Sequence, residues 1–128
     1  MTSVETNETV KINRQVKAHL DAADRALMDM DTVKSSAELW AGVRLAAVIT
    51  LKQRGLPHAT DDEILESIQA VDDAEGVKGE IVRKYLVVRG FRHNAENDYM
   101  DLEDFLFCRP GATEFVDSMQ DLYELGPQ

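Results

Sequence analysis

Hydrophobic positions recur at helical spacing along most of this chain. Val16, Leu20, Ala23, Leu27 and Met30 follow one another in steps of four and three, the period of one helix face, so a first helix is expected between about Val10 and Met30. Asp29 and Asp31 interrupt it. A second helix is expected from about Thr32 to Arg54, with Ala37, Trp40, Val43, Ala47 and Thr50 or Leu51 on its inner face. Gly55 can take a left-handed cap and Pro57 cannot continue a helix, so the run ends there. Thr60 with Glu63 reads as a capping box for a third helix that turns Ile64, Leu65, Ile68 and Val71 to the core. The glycines of "DDAEGVKG" break that pattern. A fourth helix runs from about Val77 toward Asn97 and carries two stripes. One is Ile81, Tyr85, Val88 and Ala95; the other is Val82 and Leu86, continued by Arg89 and His93. Met100 to Cys108 reads as one or two helical turns anchored by Leu102, Phe105 and Leu106. Pro110 suits the first turn of a last helix in which Phe115, Met119 and Leu122 recur.

No segment alternates in polarity as a half-buried strand does. The fold class expected is all-α: an up-and-down four-helix bundle over residues 10–125 with a short C-terminal helical cap. The short link between the first two helices forces them antiparallel. Ala37, Ala41, Gly42, Ala46 and Ala47 let a neighbouring helix come close, with Trp40 as the one bulky plug. Residues 1–9, "MTSVETNET", are too polar to offset the entropy of ordering, and a disordered tail is expected there.

Composition narrows the function. A length of 128 residues with 44% hydrophobic content suits one domain with a single core. Asp and Glu number 24 against 14 Lys and Arg, a formal charge of −10, which repels nucleic acid and anionic membranes unless positive charge gathers locally. The same field attracts a basic protein. The longest apolar runs are far below the roughly 20 residues that span a bilayer. The chain opens on no signal-peptide pattern, so a cytoplasmic location without membrane association is expected. Cys108 has no second cysteine to pair with and is expected to be buried and inert. His19 and His58 sit on different elements without ligands at metal spacing, and "EGVKGE" lacks the spacing of a phosphate loop. No metal and no cofactor is expected.

Charge does gather in one place. Between Val77 and His93, Lys78, Arg83, Lys84, Arg89 and Arg92 face Glu80 alone. The strip ends in "RGFRHNAENDYMD", Arg89 to Asp101, where Arg89 and His93 lie four apart on one helix face. Two readings are open. The guanidinium could hold phosphate oxygens while the imidazole moves a proton, which would cleave RNA without a metal. Alternatively, Arg89 and Arg92 pair with Glu96, Asp98 or Asp101 while His93 caps late carbonyls. Gly90 costs about 1 kcal/mol relative to Ala inside a helix; three readings are open, a bend, a close approach of another backbone, or an incidental glycine.

The stretch "SSAELWAGVRLAAVITLKQRGLPH", followed by a short helix and then a helix ending in "FRHNAENDYM", resembles the HEPN superfamily of higher eukaryote and prokaryote nucleotide-binding domains. More narrowly, it is similar to the small PaREP-like branch, over about residues 12 to 122. The resemblance implies an up-and-down helical bundle, usually a homodimer, and in catalytic members a metal-independent RNase. By that resemblance Arg89 would stabilise phosphate charge, His93 would act as general acid and base, and Asn94 would orient the substrate. Catalytic members set arginine and histidine at a spacing between the two available here, three residues from Arg89 to His93 and nine from Arg83. The expectation is therefore a HEPN-like binding or assembly module, homodimeric, with RNA or a nucleotide as candidate ligand. The alternatives are a metal-independent endoribonuclease using Arg89, His93 and Asn94, and an acidic, antitoxin-like partner of a basic protein.

Overall fold

Short polar side chains take up free backbone N–H groups where most of the helices begin. The computed structural model describes Asn7 and residues 9–127, and these are all-α. The described helices are α1 (Arg14–Met28), α2 (Thr32–Gln53), α3 (Asp61–Glu75), α4 (Glu80–Asn97) and α5 (Leu102–Leu125). Asn13 accepts from the Gln15 N–H, Asp31 from Lys34, Thr60 from Glu63 and Asp101 from Asp104, each filling a donor that the first turn leaves open. The Thr60–Glu63 capping box is present, with the Glu63 carboxylate reaching back to the Ala59 N–H at 2.9 Å. Helix α4 starts at Glu80 rather than Val77 because Gly76, Lys78 and Gly79 all take positive φ.

Helix α2 runs through the middle and packs against α1, α3, α4 and α5. Its buried residues, including Ser36, Leu39, Val43, Ala46 and Leu51, accordingly wrap round more than one stripe. Ala37, expected to face inward, is exposed, and Trp40 is only half-buried. The small-residue argument holds at Gly42, where an added Cβ would lie 3.1 Å from the His19 Cβ and 3.4 Å from the Val16 carbonyl oxygen. The Ser35 hydroxyl ties the same crossing by donating to the Ala23 carbonyl at 2.7 Å. Tyr85, wholly buried, stands between Trp40 at 6.0 Å and Phe115 at 5.6 Å, measured between ring centroids.

The C-terminal part departs from expectation. No short cap precedes a separate last helix; α5 runs unbroken for 24 residues with Pro110 inside it. Phe105, Ala112, Phe115, Val116, Met119 and Leu122 are buried along it, and this continuous apolar face outweighs the missing proline N–H. Arg109, next to that proline, is buried. It donates to Asp24 through Nε at 3.0 Å and Nη2 at 3.2 Å, to Asn7 at 3.1 Å and to Thr113 at 2.9 Å. The tail expected over residues 1–9 lies mostly outside the described residues. Within it, Asn7 is buried and its amide donates to Asp24 at 2.6 Å.

Candidate functional site

Helix α4 sets Tyr85, Arg89 and Arg92 within a narrow arc, since steps of four and three return to one face at about 100° per residue, and His93 falls at the arc's edge. Helix α2 brings Trp40 and Arg44, also four apart, to the same neighbourhood, and α3 contributes Asp61, its first residue. Asp61 bridges the two long helices: one carboxylate oxygen accepts from Arg44 Nε at 3.2 Å and the other from Arg92 Nη1. Arg92 also faces Glu96 at 3.6 Å. Arg89 is half-buried and makes neither a hydrogen bond nor an ion pair among the described residues. The corner thus holds two guanidinium groups on one shared carboxylate, with the unpaired Arg89 acting on the same Tyr85 that all three charges reach.

The Tyr85 hydroxyl is the unusual member. It is out of solvent and has no hydrogen-bond partner among the described residues. Burial and the nearby Asp61 charge push its pKa up to about 12, against the opposing pull of Arg89, Arg44 and Arg92. The phenol is therefore a neutral donor at physiological pH, held within the field of all four charged groups. A buried donor without an acceptor costs about 1–3 kcal/mol.

The expected site residues divide. Arg89 and His93 lie four apart on one face, and His93 is exposed. Asn94 is buried and turned inward. Its amide donates to Ser36 Oγ at 2.8 Å and to the Thr32 carbonyl at 3.4 Å, and its oxygen accepts from the Tyr99 and Met100 N–H groups at 2.9 and 2.7 Å. It pins α4 to α2 and turns the chain at Asp98, which takes positive φ. The His93 carbonyl accepts from Asn97, so the helix end is closed by an asparagine and not by the imidazole. Of the anticipated ion pairs only Arg92 with Glu96 forms; Asp101 caps α5 instead. The basic strip is also divided, with Lys84 reaching Ser118 on α5 while Arg92 reaches Asp61 on α3. Gly90 marks a close approach, since a Cβ there would lie 3.3 Å from the Tyr99 hydroxyl.

Sequence reasoning missed Arg44, Asp61 and Tyr85. Nothing local distinguishes a helix-start aspartate from a cap, or a core tyrosine from one with an unsatisfied hydroxyl; Asp61 lies 17 and 31 residues from its two arginines. The remaining candidates are local. His19 pairs with Glu38 at 2.9 Å, and His58 meets the Leu56 carbonyl at 2.9 Å in its loop. Cys108 is half-buried, with its thiol pKa raised by burial and by Asp104, so it stays protonated. Among the described residues no three potential ligands gather as for a metal ion, and no helix is long and apolar enough to cross a membrane.

The fold and this corner define an all-α protein with a local arginine cluster on an acidic chain. Comparison with models of known families, with curated proteins and with solved structures returns no match.

Proposed function

We propose that this chain is a HEPN-like helical binding module that works as a homodimer and holds RNA at the Arg44–Arg89–Arg92 corner. In this reading α1, α2, α4 and α5 form the up-and-down bundle, and α3 is a bracket held across α2 and α4 by Asp61. The observation that carries it is the Arg89 side chain, which has no partner among the described residues although two arginines nearby share one carboxylate. On a chain of charge −10, a local excess of guanidinium is a place where a phosphate backbone gains rather than loses energy. Further support comes from Ser36 and Asn94, which bond to each other and belong to the two stretches that carry the family resemblance.

Binding is favoured over cleavage because the four hydrogen bonds of Asn94 are all internal. Of the residues assigned to substrate only Arg89 and His93 remain, at a spacing shorter than catalytic members use. Fluorescence anisotropy with a labelled single-stranded RNA tests the proposal. Saturable binding should weaken steeply with salt, and Arg89→Gln should lower the slope of log K against log salt by about 0.7. The RNA should remain intact in EDTA. Equal affinity and equal salt slope for parent and variant would remove the corner from the function.

A further inference from the structure

We propose that the corner is a seat for a terminal phosphate, the dianionic phosphomonoester end of a nucleic acid, with the Tyr85 hydroxyl as its buried donor and Asp61 as the group it displaces. This rests on the anion-binding reading above and goes on to name which anion. Arg44, Arg89 and Arg92 together supply three positive charges, which Asp61 and, from a more exposed position beside Arg92, Glu96 now partly offset. A phosphodiester can meet the unpaired Arg89, but it brings a single negative charge, the same as Asp61, and gains little by replacing that carboxylate as well. A phosphomonoester brings nearly two charges and three strong acceptor oxygens, enough to engage several guanidinium groups at once.

Asp61 is a suitable group to displace. It is the first residue of a 15-residue helix, its side chain is about one third exposed, and it is shared between Arg44 and Arg92. Swinging outward would leave it in solvent beside Asp62, while both arginines turn to the phosphate. Tyr85 is the independent observation. Its hydroxyl is buried and unpartnered, and it lies within reach of the charges of the same four residues. A buried polar group without a partner asks for one. A phosphate is larger than the carboxylate it displaces, and an oxygen extending past the present position of the Asp61 carboxylate toward the phenol would give it an acceptor that no described residue provides.

The test compares one RNA ending in a terminal phosphate with the same RNA ending in a hydroxyl, alongside inorganic phosphate alone as a probe of the backbone amides of α4. The phosphate-ended RNA should bind the parent protein about tenfold more tightly, the gain from one or two charge-assisted hydrogen bonds. Tyr85→Phe keeps the ring packing and removes only the hydroxyl. It should abolish that preference, and it should not lower thermal stability, since the lost group has no partner among the described residues. Asp61→Asn should tighten inorganic phosphate binding.

Equal affinity of the two RNAs, or a preference that survives Tyr85→Phe, overturns the terminal-phosphate seat while leaving RNA binding at Arg89 standing. Loss of all RNA binding with phosphate still shifting Tyr85, Arg89 and Arg92 amides overturns the RNA reading and keeps the seat. If phosphate shifts none of these amides and neither RNA binds, both fall.

Discussion

Asp72 shows how a single buried charge can be structural. It lies in the last turns of α3, 1% exposed, and accepts from the backbone N–H groups of Gly79 at 2.6 Å, Ile81 at 2.9 Å and Val82 at 3.1 Å. Gly79 has no side chain to cap α4, so Asp72 does this from the preceding helix. Burial raises its pKa, but the N–H donors of Val82, Gly79 and Ile81, with the charge of Arg83, outweigh burial and leave it below the usual carboxylate value. A carboxylate whose pKa is lower folded than unfolded stabilises the fold at pH values above its unfolded pKa. That stabilisation fades as pH falls through the folded pKa. Asp72→Asn should therefore cost about 2 kcal/mol at neutral pH, the worth of a hydrogen-bonded charge, measured by urea unfolding. The gap between parent and variant should narrow below the carboxylate range. A gap that is constant from neutral to strongly acid pH would show that the charge does not matter.

Among the elements, α5 is where local rules and tertiary packing disagree. A proline inside a helix costs about 3 kcal/mol through the lost N–H and the clash with the preceding turn. Pro110 is exposed while Phe105 and Phe115, on either side of it, are buried, so the packed face carries the helix through. Pro110→Ala restores the donor for the Leu106 carbonyl and removes the clash. It should raise stability by about 1–3 kcal/mol, seen as a higher Tm in calorimetry; a lowered Tm would mean that the helix depends on the proline.

The same element shows what a sequence can and cannot disclose. Starts such as Thr60 with Glu63 were legible because their partners lie three residues away, and the helix faces of Val16–Leu20–Ala23 and Ile81–Tyr85–Val88 were legible because periodicity records burial. Helix α2 was read less well, since a helix covered on several sides has no single inner stripe, and Ala37 was misplaced for that reason. Pro110 was misread as a start because the energy that overrides it comes from residues on α2 and α4. Arg109 with Asp24, 85 residues apart, and Asp61 with Arg92, 31 apart, leave no local trace. The candidate corner was therefore half visible: Arg89 and its strip could be seen, whereas the groups that surround it could not.

For the whole molecule, the balance of charge and apolar surface decides association. Leu86 is 42% exposed, Val87 52% and Phe107 87%, and Leu86 belongs to the stripe that leads to Arg89. A Cβ added at Gly111 would lie in ordinary contact with Val87, at 3.6 Å, so Val87 borders the α5 surface. The proposed homodimer would cover these exposed side chains, as interfaces cover apolar surface. Each copy carries −10, so two copies repel at long range and salt screens that repulsion. Dimerisation through this face should thus strengthen as salt rises, while RNA binding at the arginine corner weakens. Sedimentation velocity at low and high salt should show the dimer fraction increasing, and Val87→Glu should shift the protein to monomer without loss of helix content. A monomer at micromolar concentration under both conditions would leave the exposed face without its proposed partner. A dimer that dissolves in salt would instead place charge, not Leu86 and Val87, at the contact.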